Sequence, residues 1–380
     1  MKSNFRLLWA ILLLSISSVE SFTPFWAVST AAPTNGDQSV AANEALDDEA
    51  PKLLAQKVAV VGATGRTGRY VVEELIDRGA TQVVALVRSQ QKVKEVFGDQ
   101  SLPASVQFVE CDLTNDKAIQ KALKGMDAAI WCATGFSSES SWVDRLVSLV
   151  GIATKRSIDS VGLPLIAKAL SQNCHDESLP KVVMCSSAGV TRPAWDEAKK
   201  EQFPGAADIP IVRLNPFGIL DIKRESEENL RRAGVPYSIV RPCGLNNDWP
   251  VGSRPILSQG DVAVGRIHRR DVATLLVDVL SEKEATGKTF EVIGLCNYPK
   301  ARSMTPSLER LRRDDEGPVP QEIVSATYAT MQQLLPGEEQ NSAALAMGQT
   351  YEQLDKGETG RLGERGTEKP EEAGVMERTG

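Results

Sequence analysis

A short apolar segment that breaks into three glycines constrains this chain more than any other feature. Residues 57–61 are rich in valine, and Gly62, Gly65 and Gly68 follow at intervals of three. A strand that turns tightly into a helix directs the free N–H groups of that helix, and the positive end of its dipole, at one point. A Cβ atom at Gly62 or Gly65 would hold a phosphate away, and one at Gly68 would push the helix off the sheet. The pattern therefore predicts a site for a dinucleotide pyrophosphate.

The residue that follows the next predicted strand indicates which dinucleotide binds. Arg88 ends the apolar run 82–87 and stands twenty residues after Gly68, where NAD sites usually carry a carboxylate for the ribose 2′-hydroxyl. An arginine suits the 2′-phosphate of NADP better, and Arg66 adds a second guanidinium. The alternative is a glycine turn with two solvated arginines. The sequence favours NADP(H) as the cofactor.

Composition excludes nucleic acid as a partner. The chain has 380 residues, 42% of them hydrophobic, so it can bury the core of one large domain or two small ones. Its net charge of −7 leaves no basic stripe for phosphates, and 5% aromatic residues provide few stacking surfaces.

Cysteine and histidine usage predicts no metal site. The chain has six cysteines and two histidines, with no Cys-x-x-Cys pair. Cys132 and Cys185 lie at the ends of apolar runs, where a thiol serves as a small hydrophobic group. We favour that structural role over a redox or disulfide role.

The N-terminus has the features of a targeting sequence. Lys2 and Arg6 precede an apolar run at 7–16 that is too short to span a bilayer, and small residues end a predicted signal peptide at 1–21. The following stretch, 22–54, reads as a transit segment or linker. The stretch opens with a phenylalanine, and in this it resembles the transit part of the bipartite presequences of algae with secondary plastids. We predict a plastid protein without an integral membrane span, and secretion is the alternative.

Strand-like and helix-like segments alternate after the glycine motif. This alternation predicts an α/β fold, a doubly wound and mostly parallel sheet with a C-terminal helical extension. The predicted strands are Lys57–Val61, Gln82–Val87, Val106–Glu110, Ala128–Cys132, Lys181–Ser186, Tyr237–Arg241 and Thr289–Ile293, and later helices are Lys117–Leu123, Asp159–Ala169 and Ile219–Arg232. Two predicted loops, Gly135–Ser141 and Val190–Arg213, follow strand ends and are candidate substrate covers.

The character of the chain changes after residue 300, which ends the predicted domain at 55–300. A polar linker is predicted at 301–319, a helical hairpin at 320–357 and a disordered tail at 358–380. Ile323, Tyr328, Met331 and Leu335 form the apolar stripe of the first hairpin helix. The hairpin packs on its own domain or docks to a partner protein.

Several ordered segments together resemble the atypical short-chain dehydrogenase/reductase superfamily, close to its NmrA-like and plastid NADP-binding members. These segments are 62–68, 111–113, 132–135, 159–162, 185–190, 239–245 and 270–273. The resemblance covers about 55–298 and implies a Rossmann fold. It also implies cofactor contacts from Gly62, Thr64, Gly65, Arg66, Thr67, Gly68 and Arg88, adenine contacts from Asp112 and Leu113, and ribose contacts from Ala133, Thr134 and Gly135. For Asp112, capping of the next helix is the alternative.

The chain departs from the superfamily at the catalytic pair. Its enzymes carry Tyr-x-x-x-Lys on one helical face, so that the ammonium lowers the pKa of the phenol. Lys223 aligns with the lysine, but Ile219 occupies the tyrosine position and no tyrosine lies between Tyr70 and Tyr237. Lys223 holds the nicotinamide ribose or is a solvated helical lysine. Ser186 is a catalytic candidate or a strand-end hydrogen bonder.

Two functions fit these observations. The first is an NADPH-dependent reductase of a small substrate, with a proton from solvent or Ser186. The second is a non-catalytic NADP(H)-binding redox sensor or assembly factor for plastid complexes, which docks through the C-terminal hairpin. An intact cofactor loop is compatible with both, and the missing phenol favours the second. We favour the reductase because oxidoreductases are the commoner use of this fold.

Overall fold

A computed structural model describes residues 53–98, 102–133, 158–172, 178–215, 218–296, 298, 301 and 303–334. An eight-stranded sheet lies at its centre, in the order β3-β2-β1-β4-β5-β6-β10-β8, and β7 pairs with β9 beside it. The strands are β1 Lys57–Val61, β2 Gln82–Val87, β3 Val106–Glu110, β4 Ala128–Trp131, β5 Val182–Cys185, β6 Tyr237–Pro242, β7 Gly244–Leu245, β8 Arg254–Ser258, β9 Arg266–Ile267 and β10 Lys288–Leu295.

The large sheet is parallel except at one edge. Strands β1–β6 and β10 run parallel to their neighbours, whereas β8 pairs antiparallel with β10. Residues 58–61 of β1 are all fully buried, as expected for a parallel strand covered on both faces. The order reverses between β1 and β4, so a crevice opens beyond their carboxyl ends.

Helices cover both faces of the sheet. Val72 of α1 and Leu276 of α8 share one apolar core, while Ile166 of α4 and Leu230 of α7 share another. The helices are α1 Gly68–Asp77, α2 Gln90–Phe97, α3 Asp116–Ala122, α4 Ile158–Ser171, α5 Glu197–Gln202, α6 Pro210–Leu214, α7 Ile219–Arg231, α8 Arg269–Val279, α9 Thr305–Glu309 and α10 Gln321–Leu334. The predicted doubly wound α/β fold is confirmed.

The segment 190–213 differs from the predicted loop. It contains a 3₁₀ turn at Arg192–Ala194 and the short helices α5 and α6. Trp195 and Phe203 are buried there, with ring centroids 5.9 Å apart. Helices of five or six residues are too short to show a clear apolar period, which explains why the sequence pattern did not reveal them.

The stretch 301–319 also differs from its prediction as a linker, because it folds against β10. Leu308 of α9 is fully buried, and its carbonyl accepts a hydrogen bond of 2.8 Å from Lys288 Nζ. Asp314 accepts hydrogen bonds from the N–H and Oγ1 of Thr289, at 3.0 and 2.6 Å. It also accepts from Tyr237 Oη and Arg231 Nε, both at 3.0 Å. The charges that suggested a linker therefore anchor this segment.

Helix α10 packs on its own domain. Val324 and Met331 are buried, and Tyr328 Oη donates a 2.6 Å hydrogen bond to the carbonyl of Pro204. Ile323, which was predicted in the apolar stripe, is 50% exposed instead. Leu335, the second hairpin helix, the tail and residues 1–52 of the predicted presequence at 1–54 lie outside the described residues. Leu53 is described and is buried in the apolar core, so the domain begins before the predicted residue 55. Across the part of the chain that the structure describes, no helix combines the length and the apolar character needed to cross a bilayer.

The contacts of Asp314 predict that it contributes more to stability than the neighbouring carboxylate of Asp315. Asp314→Ala removes four hydrogen bonds at once, so we expect it to lower the free energy of unfolding by about 1.5 to 3 kcal/mol. Asp315 is exposed and pairs only with exposed Arg313 in the described contacts. Asp315→Ala is therefore the matched control and should leave the unfolding midpoint in urea unchanged. Equal effects of the two substitutions would contradict the anchoring role.

Candidate dinucleotide site

The turn between β1 and α1 is a tight glycine loop. Gly62 adopts φ +83°, a conformation that favours glycine, and its carbonyl accepts a 2.9 Å hydrogen bond from the N–H of Gly65. The N–H of Arg69 then donates to the carbonyl of Gly65 at 3.1 Å, which brings the chain into α1. Thr64 and Thr67 lie between the glycines and are partly buried.

Close contacts explain two of the three glycines. A Cβ on Gly62 would lie 2.7 Å from the N atom of Ala133, the second residue after β4. A Cβ on Gly68 would lie 2.2 Å from the carbonyl oxygen of Gly62. Both clashes involve backbone atoms, so neither position accepts a side chain without distortion of the turn. The predicted phosphate contact of Gly62 is thus secondary to a packing requirement.

Gly65 differs because the position of its missing side chain faces solvent. It is exposed, and an added Cβ would meet only the carbonyl oxygen of Gly62, at 3.0 Å. The N-cap residue of α1, Thr67, makes no side-chain cap hydrogen bond, and the first turn of α1 has no acidic residue. An anion that approaches over Gly65 therefore meets the positive end of the α1 dipole with no acidic side chain in the first turn to oppose it.

The predicted guanidiniums lie beside this loop. Val61 of β1 is paired with Leu86 of β2, so Arg88 follows β2 next to the start of the glycine loop. Arg88 and Arg66 are both exposed. Two positive side chains thus flank the mouth of the turn, where a 2′-phosphate would carry negative charge.

Asp112 and Leu113 follow β3 at the same edge of the sheet. The Asp112 carboxylate accepts hydrogen bonds from the N–H and Oγ1 of Thr114, at 2.9 and 2.8 Å, and these bonds lower its pKa. Asn115 is the N-cap of α3, so the alternative that Asp112 caps this helix is wrong. Leu113 is buried against the helix layer that contains Gly162.

The end of β4 completes the floor of the crevice. Ala133 is partly buried and contacts Gly62 as described above. Thr134 and Gly135, predicted to run along the ribose, lie outside the described residues, as does the loop Gly135–Ser141. Carboxyl ends of parallel strands share one edge, so the loops after β1 to β4 converge on one crevice.

Ser186 faces a buried ion pair. Its Oγ donates a 2.6 Å hydrogen bond to Oε1 of Glu227, which is fully buried in α7. Arg241 of β6 donates to both Glu227 oxygens, at 2.9 and 2.6 Å. Burial alone would raise the pKa of Glu227, but the charge and hydrogen bonds of Arg241 outweigh it and lower the pKa. The Ser186 proton is therefore directed at Glu227.

Lys223 lies in the first half of α7 and is buried, with 7% of its surface exposed. The alternative of a solvated helical lysine is wrong. Glu227, one helical turn after Lys223, contacts Ser186 just beyond β5, so this part of α7 passes the carboxyl end of that strand. Ile219 is the first residue of α7, one helical turn before Lys223.

A second group of buried charges includes Glu291 of β10 and Arg192. Arg192 is fully buried and donates to the carbonyls of Asp261, Ala206 and Ala263, each at 2.7 Å. The carboxylate of Glu291 lies 3.6 Å from Arg241. Burial and the nearby negative charge of Asp261 raise the pKa of Glu291 to about 8.

The Glu227–Arg241 ion pair and the buried Glu291 were not predicted from the sequence. Arg241 stands in an otherwise apolar strand, which signals a buried partner. The sequence does not indicate that Glu227 is that partner, because α7 carries several carboxylates. Among the described residues, no group of three or more histidine, cysteine or carboxylate side chains is placed to hold a metal ion.

A family comparison agrees with this geometry. A model of an NAD(P)H-binding family matches residues 62–283, from the first glycine of the turn to beyond α8. The chain belongs to this family. The predicted resemblance to Rossmann-type atypical dehydrogenases and reductases is confirmed, and the chain contains an NAD(P)H-binding domain.

Several relatives with similar sequences are chloroplastic proteins. An uncharacterized chloroplastic protein of Arabidopsis thaliana is 32% identical over 250 residues, which cover 65% of this chain and 80% of that protein. Chloroplastic protein TIC 62 of Pisum sativum is 26% identical over 76% of this chain but only 54% of its own length. Sanguinarine reductase of Eschscholzia californica is 26% identical over 64% of this chain and 90% of its own length.

The two kinds of glycine in the turn predict different phenotypes. Gly65→Val occupies the open side of the turn, so we expect dinucleotide binding to be lost while the melting temperature stays near that of the wild type. Gly68→Val forces a backbone clash and should lower the melting temperature as well. Calorimetric titration measures the binding of the dinucleotide, and thermal unfolding measures the melting temperature. Tight binding by the Gly65 variant would exclude this turn as the pyrophosphate site.

The raised pKa of Glu291 predicts a pH dependence of stability. The unfolded carboxyl has an ordinary pKa of 4.5 and the folded one a pKa of about 8. The free energy of unfolding contributed by this group is therefore present below pH 4.5 and is lost as the pH rises towards 8. Glu291→Gln should flatten this decline in urea unfolding between pH 5 and 8. The control is Glu197→Gln, because Glu197 is exposed, and it should leave the decline unchanged. If the Glu291 variant also keeps the wild-type decline of unfolding free energy with pH, the raised pKa of Glu291 is refuted.

Proposed function

We propose that this protein is a plastid NADPH-dependent reductase of a small, apolar or planar substrate. The observation that carries the proposal is the open glycine turn with Arg88 at the end of the neighbouring strand. Gly62 and Gly68 allow the turn to close, and Gly65 leaves room for a pyrophosphate above the terminus of α1. Arg88 and Arg66 supply the positive charge that a 2′-phosphate requires.

In this proposal, the dinucleotide lies along the carboxyl ends of strands β1 to β5. The glycine turn, with Thr64 and Thr67, holds the pyrophosphate, and Arg88 with Arg66 holds the 2′-phosphate. Asp112 and Leu113 border the adenine, and Ala133 borders its ribose. Lys223 is buried at the β5 side of the crevice, where it holds the nicotinamide ribose. Once bound, the dinucleotide supplies a hydride to the substrate.

The proton for the reduction comes from solvent in this proposal. Ile219 has no proton to give, and the hydroxyl proton of Ser186 is held by the ionised Glu227 at 2.6 Å. Because Arg241 keeps Glu227 charged, release of Ser186 would leave a buried carboxylate with one partner fewer. Ser186 therefore acts as a positioning residue for α7 and Lys223.

Three relatives support the class of activity and its location. Sanguinarine reductase matches over 90% of its own length, so almost the whole of that reductase corresponds to this chain. The Arabidopsis and pea relatives are chloroplastic, which agrees with the predicted bipartite presequence at 1–54. The proposal covers a class of substrate, namely small molecules that are apolar or planar.

The second candidate is an NADP(H)-binding redox sensor or assembly factor without turnover. Ile219 at the tyrosine position favours it, because the usual proton donor of the superfamily is missing from α7. The likeness to TIC 62 supports a role beside plastid proteins, although it spans only 54% of that protein. An assay of NADPH oxidation against quinones, aldehydes and ketones separates the candidates. Turnover supports the reductase, and tight NADPH binding without turnover on any of them supports the sensor.

Arg88 provides the test of cofactor choice. Arg88→Ala removes a charge-assisted hydrogen bond to the 2′-phosphate, so we expect NADPH binding to weaken by about 1.5 to 3 kcal/mol. This corresponds to a rise in Kd of roughly 10- to 150-fold. NADH, which lacks that phosphate, should bind the variant and the wild type equally.

The control is Arg232→Ala, because Arg232 is exposed at the end of α7 and pairs with Glu228. In fluorescence titrations, this substitution should change neither the Kd of NADPH nor the Kd of NADH. An equal loss of NADPH and NADH affinity in the Arg88 variant would contradict the assignment to NADP(H).

A further inference from the structure

Two cysteines meet at the carboxyl ends of neighbouring strands. Strands β4 and β5 pair in parallel, with Ala129 beside Val182 and Trp131 beside Met184. The next residue of each chain segment is a cysteine, so Cys132 and Cys185 lie side by side. Directly paired residues of a parallel sheet point to the same face, and neighbouring strands are about 4.8 Å apart. That spacing falls within the range of Cα separations that a disulfide can bridge.

Packing places the two thiols against one core. Cys185 belongs to the core between the sheet and helices α1 and α8, and Cys132 packs against the same core. Cys185 is buried, whereas Cys132 is partly exposed. Both are free thiols.

The surroundings of the pair shift the two thiols in opposite directions. The adjoining Cys132 thiol lowers the pKa of the Cys185 thiol, burial opposes this, and the positive charges of Lys223 and Arg269 lower it further. The adjoining Cys185 and burial raise the pKa of Cys132. Burial also raises the pKa of Cys111 and of Cys243, where no neighbouring thiol among the described residues offsets it. The pair therefore differs from the cysteines that serve only as small hydrophobic groups.

We propose that Cys132 and Cys185 form a peroxide-oxidisable dithiol at the floor of the dinucleotide crevice. The Cys185 thiolate attacks one oxygen of a peroxide, the O–O bond breaks, and the leaving oxygen takes a proton to become water or an alcohol. The sulfenic acid on Cys185 is then attacked by the sulfur of Cys132, which forms the disulfide and releases water. The two thiols lose two electrons and two protons, and the peroxide gains them.

The position of the pair connects this chemistry to the dinucleotide site. Cys132 immediately precedes Ala133, and its carbonyl carbon would lie 2.9 Å from a Cβ placed on Gly62. A disulfide would thus join β4 to β5 directly beneath the glycine turn. The inference goes beyond the proposed reductase and does not depend on it, because oxidation of the thiols is measured without NADPH or substrate.

Peptide mapping of the full-length protein tests the proposal. The reduced protein is treated with hydrogen peroxide, the remaining thiols are alkylated, and the chain is cut with trypsin. Cleavage after lysine and arginine gives peptides 125–145 and 182–199, which hold Cys132 and Cys185 as their single cysteines. We expect the two peptides to be linked after peroxide and separate after dithiothreitol. Unlinked peptides, or linkage of either one to another cysteine instead, would overturn the proposal.

Single variants test the order of the two steps. Cys132→Ser removes the resolving thiol, so the sulfenic acid should persist on peptide 182–199 and form an adduct with dimedone. The wild type should lose two thiols per chain and give no such adduct. Cys243→Ser is the control, because Cys243 is buried and its thiol pKa is raised, and it should form the disulfide as the wild type does. If Cys132→Ser does not fold, the wild-type map alone decides the outcome.

Discussion

The close approach of the β1–α1 turn to the end of β4 is the constraint on which the rest of the structure depends. Gly62 lies so near Ala133 that a Cβ atom would come within 2.7 Å of backbone. This contact fixes the turn against the neighbouring strand at the point where the strand order reverses. The terminus of α1 is then directed over the crevice, and the loops after β2 and β3 border it. A dinucleotide site follows from one steric requirement and the parallel topology.

Buried charge organises the other half of the sheet. Arg241 holds Glu227, Glu227 holds Ser186, and Arg192 holds the backbone around Asp261. These interactions connect α7 to β5 and β6, and they position Lys223 at the carboxyl edge. The same network directs the Ser186 proton at the buried Glu227 carboxylate. For this reason, solvent supplies the proton in the reductase that we propose.

The sequence predicted the parts of the molecule that local rules specify. Strands β1, β2 and β3 were predicted at their observed limits because apolar runs end at glycine or charged residues. The fold of 301–319 and the role of Glu227 were not predicted, because their partners are distant in sequence. Asp314 binds Arg231, 83 residues away, and Arg241 selects one carboxylate of several in α7. The pairing of Cys132 with Cys185 likewise required the register of β4 and β5.

We propose that NADP(H) lies over the glycine turn with its 2′-phosphate at Arg88. A crystal structure of the protein grown with NADP⁺ measures this directly. We expect pyrophosphate oxygens within hydrogen-bond distance of the N–H groups that follow Gly65, and a 2′-phosphate oxygen about 2.7 to 3.0 Å from the Arg88 guanidinium. A dinucleotide bound elsewhere, or one whose 2′-phosphate points away from Arg88 into solvent, would contradict it.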